Sequence, residues 1–233
     1  MRIESVRHDA SGDATIVASG GIIFLLPRQR IDECAALVAD RLGSSFDPER
    51  LNAGKSLLDS LSAADIDFEP EDSLIQDLKR IDEAWKAEKK GLELCARAEQ
   101  SSQGLIAKLG SRGFSTGAAA EAVQRLIEAG AVDDTRFATI WARARAERRL
   151  EGPALISAGL RSRGLGQEAI RKALDAVDFD TLIPRAVEKE SRRLSRRFNG
   201  KGDPEGRALR EALYRSLKGQ GFDSSLVREE LGY

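Results

Sequence analysis

The sequence predicts a mainly α fold: three tandem three-helix repeats forming an elongated curved array. A small N-terminal β-hairpin or sheet with helices precedes them, so the front is α+β. Three observations predict this. Leu, Ala, Arg and Glu dominate the 233 residues while aromatics make up 5%, a composition that favours helix over a β sandwich. Short β-branched runs broken by Gly and Asp set the first 30 residues apart. A pattern of apolar residues around a glycine then recurs three times.

The front elements come first. Ile3 and Val6 lead to the turn Ser11-Gly12-Asp13 and then Ala14 to Val17; Gly20-Gly21 precedes Ile22 to Leu26. This reads as an antiparallel sheet of two or three strands, which needs a helix to pack on. After Pro27 the pattern turns helical. Ile31 to Leu42 carries Ala35, Ala36, Leu37, Ala39 and Leu42. Asp47-Pro48-Glu49 starts a second segment, holding Leu51, Leu57, Leu58 and Leu61. Asp65 to Asp72 is polar and contains Pro70, as a connector does. A long helix follows from near Leu74 to Ala98, with Ile75, Leu78, Ile81, Ala84, Trp85 and Leu92 near helical spacing.

The repeat appears when Gly113, Gly164 and Gly221 are aligned. Eight residues before each stand Leu105, Ile156 and Leu213; four before stand Leu109, Leu160 and Leu217. One after stand Phe114, Leu165 and Phe222; six after, Ala119, Ile170 and Val227; ten after, Val123, Leu174 and Leu231. The first two columns share one helix face, and the last two form an i, i+4 face on the next helix. The glycine supplies the left-handed residue that stops a helix, and the apolar residue after it covers the helix end. A longer helix precedes each pair. The middle one runs from about Asp133 to Arg149, with Asp133 or Asp134 as N-cap and Phe137, Ile140, Trp141 and Ala144 on one face. The last runs from about Thr181 to Phe198. The expected divisions are a front part over 1–73 and repeats over 74–130, 131–178 and 179–233.

Charge is balanced overall, at −1, but unevenly placed. Ile31 to Glu83 holds 14 acidic and 5 basic residues, and Arg143 to Arg197 holds 14 basic and 8 acidic. Such a split suits an anionic partner at one end while limiting indiscriminate sticking. Cys34 and Cys95 are far apart and in no paired motif, so a disulfide framework is not expected. No apolar leader is visible, and Gly21 to Pro27 is too short to span a bilayer. A cytoplasmic protein, soluble and without a membrane partner, is expected.

Several stretches invite a catalytic or nucleotide reading. Arg161 to Leu174 combines two glycines with basic residues near a helix start, the chemistry of a phosphate cradle. The third repeat has Lys218-Gly-Gln-Gly221 instead, and no strand precedes any of the three glycines, so a structural joint is the better reading. Gly54-Lys-Ser56 has Glu49 where a P-loop needs glycine. Asp133-Asp134 has no third ligand nearby and suits a helix start better than a metal. His8 is the sole histidine, which leaves little for a zinc site or a catalytic triad. No cofactor, metal or catalytic residue is predicted. Basic residues carry more information. Arg143, Arg145, Arg148 and Arg149 crowd the end of one long helix, and Arg192, Arg193, Arg196 and Arg197 crowd the end of the next. Cations favour helix C-termini, but recurrence at corresponding places would line up charge along a stacked series. Arg161, Arg163, Arg171 and Lys172 add to this basic face. Few aromatics are interleaved, so stacking on bases is not indicated.

Four pieces together resemble the signature of the RecX family of RecA regulators. They are Ala131-Val-Asp-Asp-Thr-Arg-Phe-Ala138, Arg143-Ala-Arg145, Gly152-Pro153 and Leu160-Arg-Ser-Arg-Gly-Leu165. The match is firm over 130–176 and extends over 84–233 through the repeat. The resemblance implies a non-enzymatic modulator of RecA in recombination, DNA repair and the SOS response. Such a protein is built from three-helix repeats, binds in the groove of the RecA–DNA filament and inhibits strand exchange and ATP hydrolysis. It implies RecA and DNA as partners of a monomer; the alternative is a general DNA-binding helical module. Two departures mark this chain. After Gly152-Pro153 the family's basic residues and Glu are replaced by Ala154-Leu-Ile-Ser-Ala-Gly159, and Gly104 stands where the first repeat usually has Glu. Gly159 should weaken its helix by about 1 kcal/mol relative to Ala. The contact surface is expected to shift toward Arg143–Arg149 and Arg192–Arg197.

Overall fold

The computed structural model describes residues 3–28, 30, 73–198 and 206–232. The expected helices over 31–42 and 51–61, the connector at 65–72 and the Gly54-Lys-Ser56 stretch lie outside the described residues. The fold is mainly α behind a three-stranded antiparallel sheet, with nine helices among the described residues. The chain divides into two compact units. One comprises Met1–Arg97 and Ile106–Ala131, the other Ala98–Leu105 and Val132–Tyr233.

In the first unit, β1 (Ile3–His8), β2 (Ala14–Ala18) and β3 (Ile22–Leu26) form a meander in the order β1-β2-β3. The strands alternate as a half-buried sheet should: Ala14, Ile16, Ala18, Phe24 and Leu26 are buried. Asp9 turns the first hairpin by accepting the Ser11 and Asp13 N–H groups at 2.9 and 3.0 Å, with Gly12 at φ 88°. Helix α1 (Ser73–Arg97) covers β3, and Asp82 on it accepts the Leu25 N–H at 2.9 Å. That bond satisfies a donor on the sheet's edge strand. The buried stripe of α1 is Ile75, Leu78, Ile81, Ala84 and Ala87. Leu92, expected on that face, is 45% exposed, because the stripe follows the contact with β3 and with α3 (Thr116–Glu128).

The remaining helices are α2 (Ser102–Gly110), α4 (Asp134–Arg149), α5 (Pro153–Arg161), α6 (Gln167–Asp175), α7 (Leu182–Phe198), α8 (Arg207–Gly219) and α9 (Ser224–Leu231). The three glycine joints are the same device. Gly113, Gly164 and Gly221 have φ of 93°, 76° and 90°. At each, the residue after the glycine donates to the carbonyl of the leucine four before it: Phe114 to Leu109 at 3.4 Å, Leu165 to Leu160 at 3.3 Å, Phe222 to Leu217 at 3.3 Å. Each glycine N–H also bonds three residues back, to Gly110, Arg161 and Lys218. This double bond pattern closes a helix through a left-handed residue. Of the fifteen aligned apolar positions only Phe114, Leu174 and Leu231 are not fully buried. The phosphate-cradle geometry is thus used for helix termination.

Within the second unit, successive triplets lock at these joints. Gly152 and Ala154 donate to the carbonyls of Gln220 and Gly221 at 2.8 and 3.1 Å, so the start of α5 sits on the third joint. Gln103, at the start of α2, packs on Gly164 in the same manner. Helix α8 has 13 residues against 9 in α2 and α5, so the position equivalent to Gly152 falls inside it, at Leu209. In the last triplet the helix start therefore lies three residues earlier than in the other two, at Arg207.

The buried seam of α4 differs from the expected one. Ala138, Ala142 and Ala146 are fully buried, Phe137, Trp141 and Ala144 are half-buried, and Ile140 is 52% exposed. Small residues on that seam let α4 pack closely on α6, which side-chain size along α4 alone does not reveal. The Trp141 indole instead lies on α5: a Cβ on Gly159 would stand 2.5 Å from the ring. Gly159→Ala should therefore destabilise the fold by about 1–3 kcal/mol through overpacking, although helix propensity favours Ala by about 1 kcal/mol. A thermal melt above that of the parent would contradict this packing. Gly104 likewise leaves room for Ser101 Oγ, 2.8 Å from where its Cβ would stand. The Asp133-Asp134 pair divides its work. Asp133 caps α4 through the N–H groups of Thr135 and Arg136, while Asp134 accepts the Ser102 N–H and hydroxyl at 2.8 and 2.6 Å, tying down the start of α2.

Candidate nucleic-acid interface

Helix α7 carries apolar residues on one side and cations on the adjoining one. Leu182, Ile183, Ala186 and Leu194 are buried. Arg185, Lys189, Arg192 and Arg196 follow at i, i+4, i+7 and i+11, one exposed stripe about 16 Å long at the α-helical rise. Together with Arg193, Glu188 and Leu150 they line an open cleft of about 430 Å³. A second cleft of about 470 Å³, lined by Arg143, Glu147, Asp178, Thr181 and Arg185 among others, shares Arg185 with the first. The side chains of Arg185, Lys189 and Arg196 carry no ion pair among the described residues, and Arg192 meets only exposed Glu188. Cations held this loosely remain available to an anion from outside.

Buried Glu190 anchors the stripe. It accepts from Arg193 at 2.9 Å and from Ser216 on α8 at 2.8 Å. Burial pushes its carboxyl up, but the hydrogen bonds from Arg193 and Ser216 and the charge of Arg193 outweigh it and hold the group below its ordinary value. A depressed carboxylate stabilises the fold above the unfolded-state value, and that contribution is lost as pH falls through the folded-state value. Glu190→Gln should therefore cost about 1–2 kcal/mol at neutral pH, and the difference from the parent should vanish under acid. A pH series of melts with a constant difference would contradict the assignment.

The other predicted basic residues are distributed unevenly. Arg148, Arg149 and Arg161 are exposed at the ends of α4 and α5, and their side chains have no partner among the described residues. Arg143 donates to the Ala176 carbonyl at 3.3 Å. Arg145 pairs with buried Glu151 at 2.6 Å and lies over the Trp141 ring, 5.1 Å from its centre. Arg163 lies 4.6 Å from the same ring and caps α5 through the Gly159 carbonyl at 2.7 Å. Arg171 bridges Glu168 and Asp175, and its hydrogen bond holds Glu168 below the ordinary carboxylate value. Lys172 lies 3.6 Å from Glu168. None of Arg145, Arg163, Arg171 and Lys172 lines either cleft. Arg197 falls in the last turn of α7, with its side chain outside the described residues. Arg185 and Lys189 were not expected; their signal is helical periodicity, whereas the density of arginines near 192–197 draws the eye to the helix end.

No helix among the described residues is long and apolar enough to cross a membrane. Residues 133–174 match the family model described as RecX, second three-helix domain. The chain is 36% identical over 144 residues to the regulatory protein RecX of Stenotrophomonas maltophilia (strain R551-3), covering 62% of this chain and 84% of that protein. Its counterpart in Halorhodospira halophila (strain DSM 244 / SL1) is 36% identical over 139 residues, covering 59% and 81%. A crystal structure of a regulatory protein RecX shares the fold with a TM-score of 0.66 at 18% identity, over 99% of this chain and 98% of the other. RecX from Lactobacillus salivarius gives 0.57 at 20% identity, over 65% and 96%. From the curated relatives, which it matches over more than four-fifths of their length, the chain belongs to the RecX family.

Proposed function

We propose that this chain regulates RecA without catalysis of its own, binding the RecA–DNA filament in its groove and inhibiting ATP hydrolysis and strand exchange. It would thereby restrain recombination, DNA repair and the SOS response in the cytoplasm, acting as a monomer. Residues 74–130, 131–178 and 179–233 serve as its three repeats. The relatives' name, regulatory protein RecX, supports the RecA assignment. The observation that carries the site is the exposed cation stripe of α7, of which Arg185, Lys189 and Arg196 have no ion pair among the described residues and Arg192 meets only exposed Glu188. Arg185, Lys189, Arg192 and Arg196, with Arg193 and Arg143 from the lining of the two clefts and Arg148 and Arg149 just before Leu150, would face the DNA phosphates within the filament. Arginine suits phosphate forks, and the absence of aromatics among the described residues that line both clefts favours backbone contact over base stacking. The same stripe also fits a DNA-binding module indifferent to RecA. Capture of purified RecA by the immobilised chain, with and without single-stranded DNA, separates the two. RecA retained without DNA supports the regulator; retention that disappears with nuclease treatment supports the general module.

A further inference from the structure

The elbow between α4 and α5 touches both the basic cleft and the third joint. Leu150 ends α4 at φ 58° and ψ 47°, and among the described residues it is the one non-glycine at positive φ. Glycine usually fills this place, so a leucine there points to a use for its side chain. That side chain is 7% exposed, shares a buried cluster with Leu182, Ile183 and Ala186 of α7, and forms the apolar part of the cleft's lining. Exposed Arg148 and Arg149 come directly before it. Directly after it, buried Glu151 is paired with Arg145, and Gly152 and Ala154 are bonded to the third joint.

We propose that Leu150 is a positioning residue of the basic cleft. Its side chain wedges the end of α4 against α7, so that Arg148 and Arg149 stand in fixed register with the stripe of Arg185, Lys189, Arg192 and Arg196. A glycine would make the same turn more easily but would leave α7 unbraced at this point. The left-handed leucine trades backbone ease for placement of the cations. Its removal changes no charge, so its effect on binding an anionic strand is one of geometry. The inference rests on reading the cleft as the nucleic-acid contact.

The test is fluorescence anisotropy of a labelled single-stranded oligodeoxythymidine titrated with the full chain over a range of salt. Leu150→Gly is expected to bind about tenfold more weakly and with a shallower salt dependence, as the loss of one or two phosphate contacts would give. Leu150→Met, which keeps an apolar side chain of similar length, should bind like the parent. Melting curves run in parallel separate stability from placement; if Leu150→Gly melts below the assay temperature, Leu150→Ala is read in its stead. Binding of the small-residue variant with the parent's affinity and salt slope overturns the proposal. The underlying reading fails differently: a variant with Ala at 185, 189, 192 and 196 would then bind like the parent.

Discussion

Gly152→Ala is expected to detach the third triplet from the second. A Cβ at this position would stand 2.4 Å from the Gly221 carbonyl carbon and 2.5 Å from its oxygen and from the Phe222 nitrogen. These are backbone atoms in a helix joint and cannot swing aside as a side chain can. Relief requires α5 and the joint to separate, breaking the bonds from Gly152 and Ala154 to Gln220 and Gly221. Overpacking and two lost hydrogen bonds together suggest a cost of about 2–4 kcal/mol. Hydrogen exchange should show α8 and α9 opening first, with β1–β3 and α1 still protected. Gly117→Ala, where a Cβ meets nothing within 4 Å, is the control. Parent-like melting and exchange in the Gly152 variant would show that the joint is not the lock described.

Joint replacement of Arg185, Lys189, Arg192 and Arg196 by Ala is expected to have the largest effect on function. All four lie on one exposed stripe, and Arg185, Lys189 and Arg196 have no carboxylate partner among the described residues, so their removal leaves no buried charge behind. The fold should melt within about 1 kcal/mol of the parent, as surface changes usually do. If each cation meets one phosphate of a single strand, the slope of log affinity against log salt should fall by about 3. Arg171→Ala with Lys172→Ala removes two cations already engaged by Glu168 and Asp175, and should shift the slope far less. Equal slopes for the two variants would mean that net charge, not the cleft, governs binding.

The three joints were legible in the sequence because their signals are local. A glycine forced to positive φ, a leucine four before it and an apolar residue after it define a helix end wherever they occur. Choice of face was less legible. Phe137, Ile140 and Trp141 looked like the core of α4, yet Ala138, Ala142 and Ala146 are buried, because close helix approach outweighs side-chain size there. By helix propensity Gly159 is a weakness of α5, whereas the Trp141 ring against it makes the missing side chain a packing requirement. Asp134 read as a possible cap for its own helix, and it serves Ser102 more than thirty residues earlier. Leu150 carried no signal, since a left-handed leucine is set by what surrounds it. Among the basic residues, the sequence marks density but not which ones are already engaged. Arg145 and Arg171 are held by carboxylates; among the described residues Arg185 and Lys189 are not.

If the chain restrains RecA as proposed, it does so through the α7 cleft. The most direct measurement is ATP hydrolysis by RecA on single-stranded DNA while the chain is titrated in, alongside the variant with Ala at 185, 189, 192 and 196. A dose-dependent fall in hydrolysis is expected for the parent and a much weaker response for the variant. Hydrolysis that stays constant with the parent in excess over RecA, or falls equally with both proteins, would contradict it.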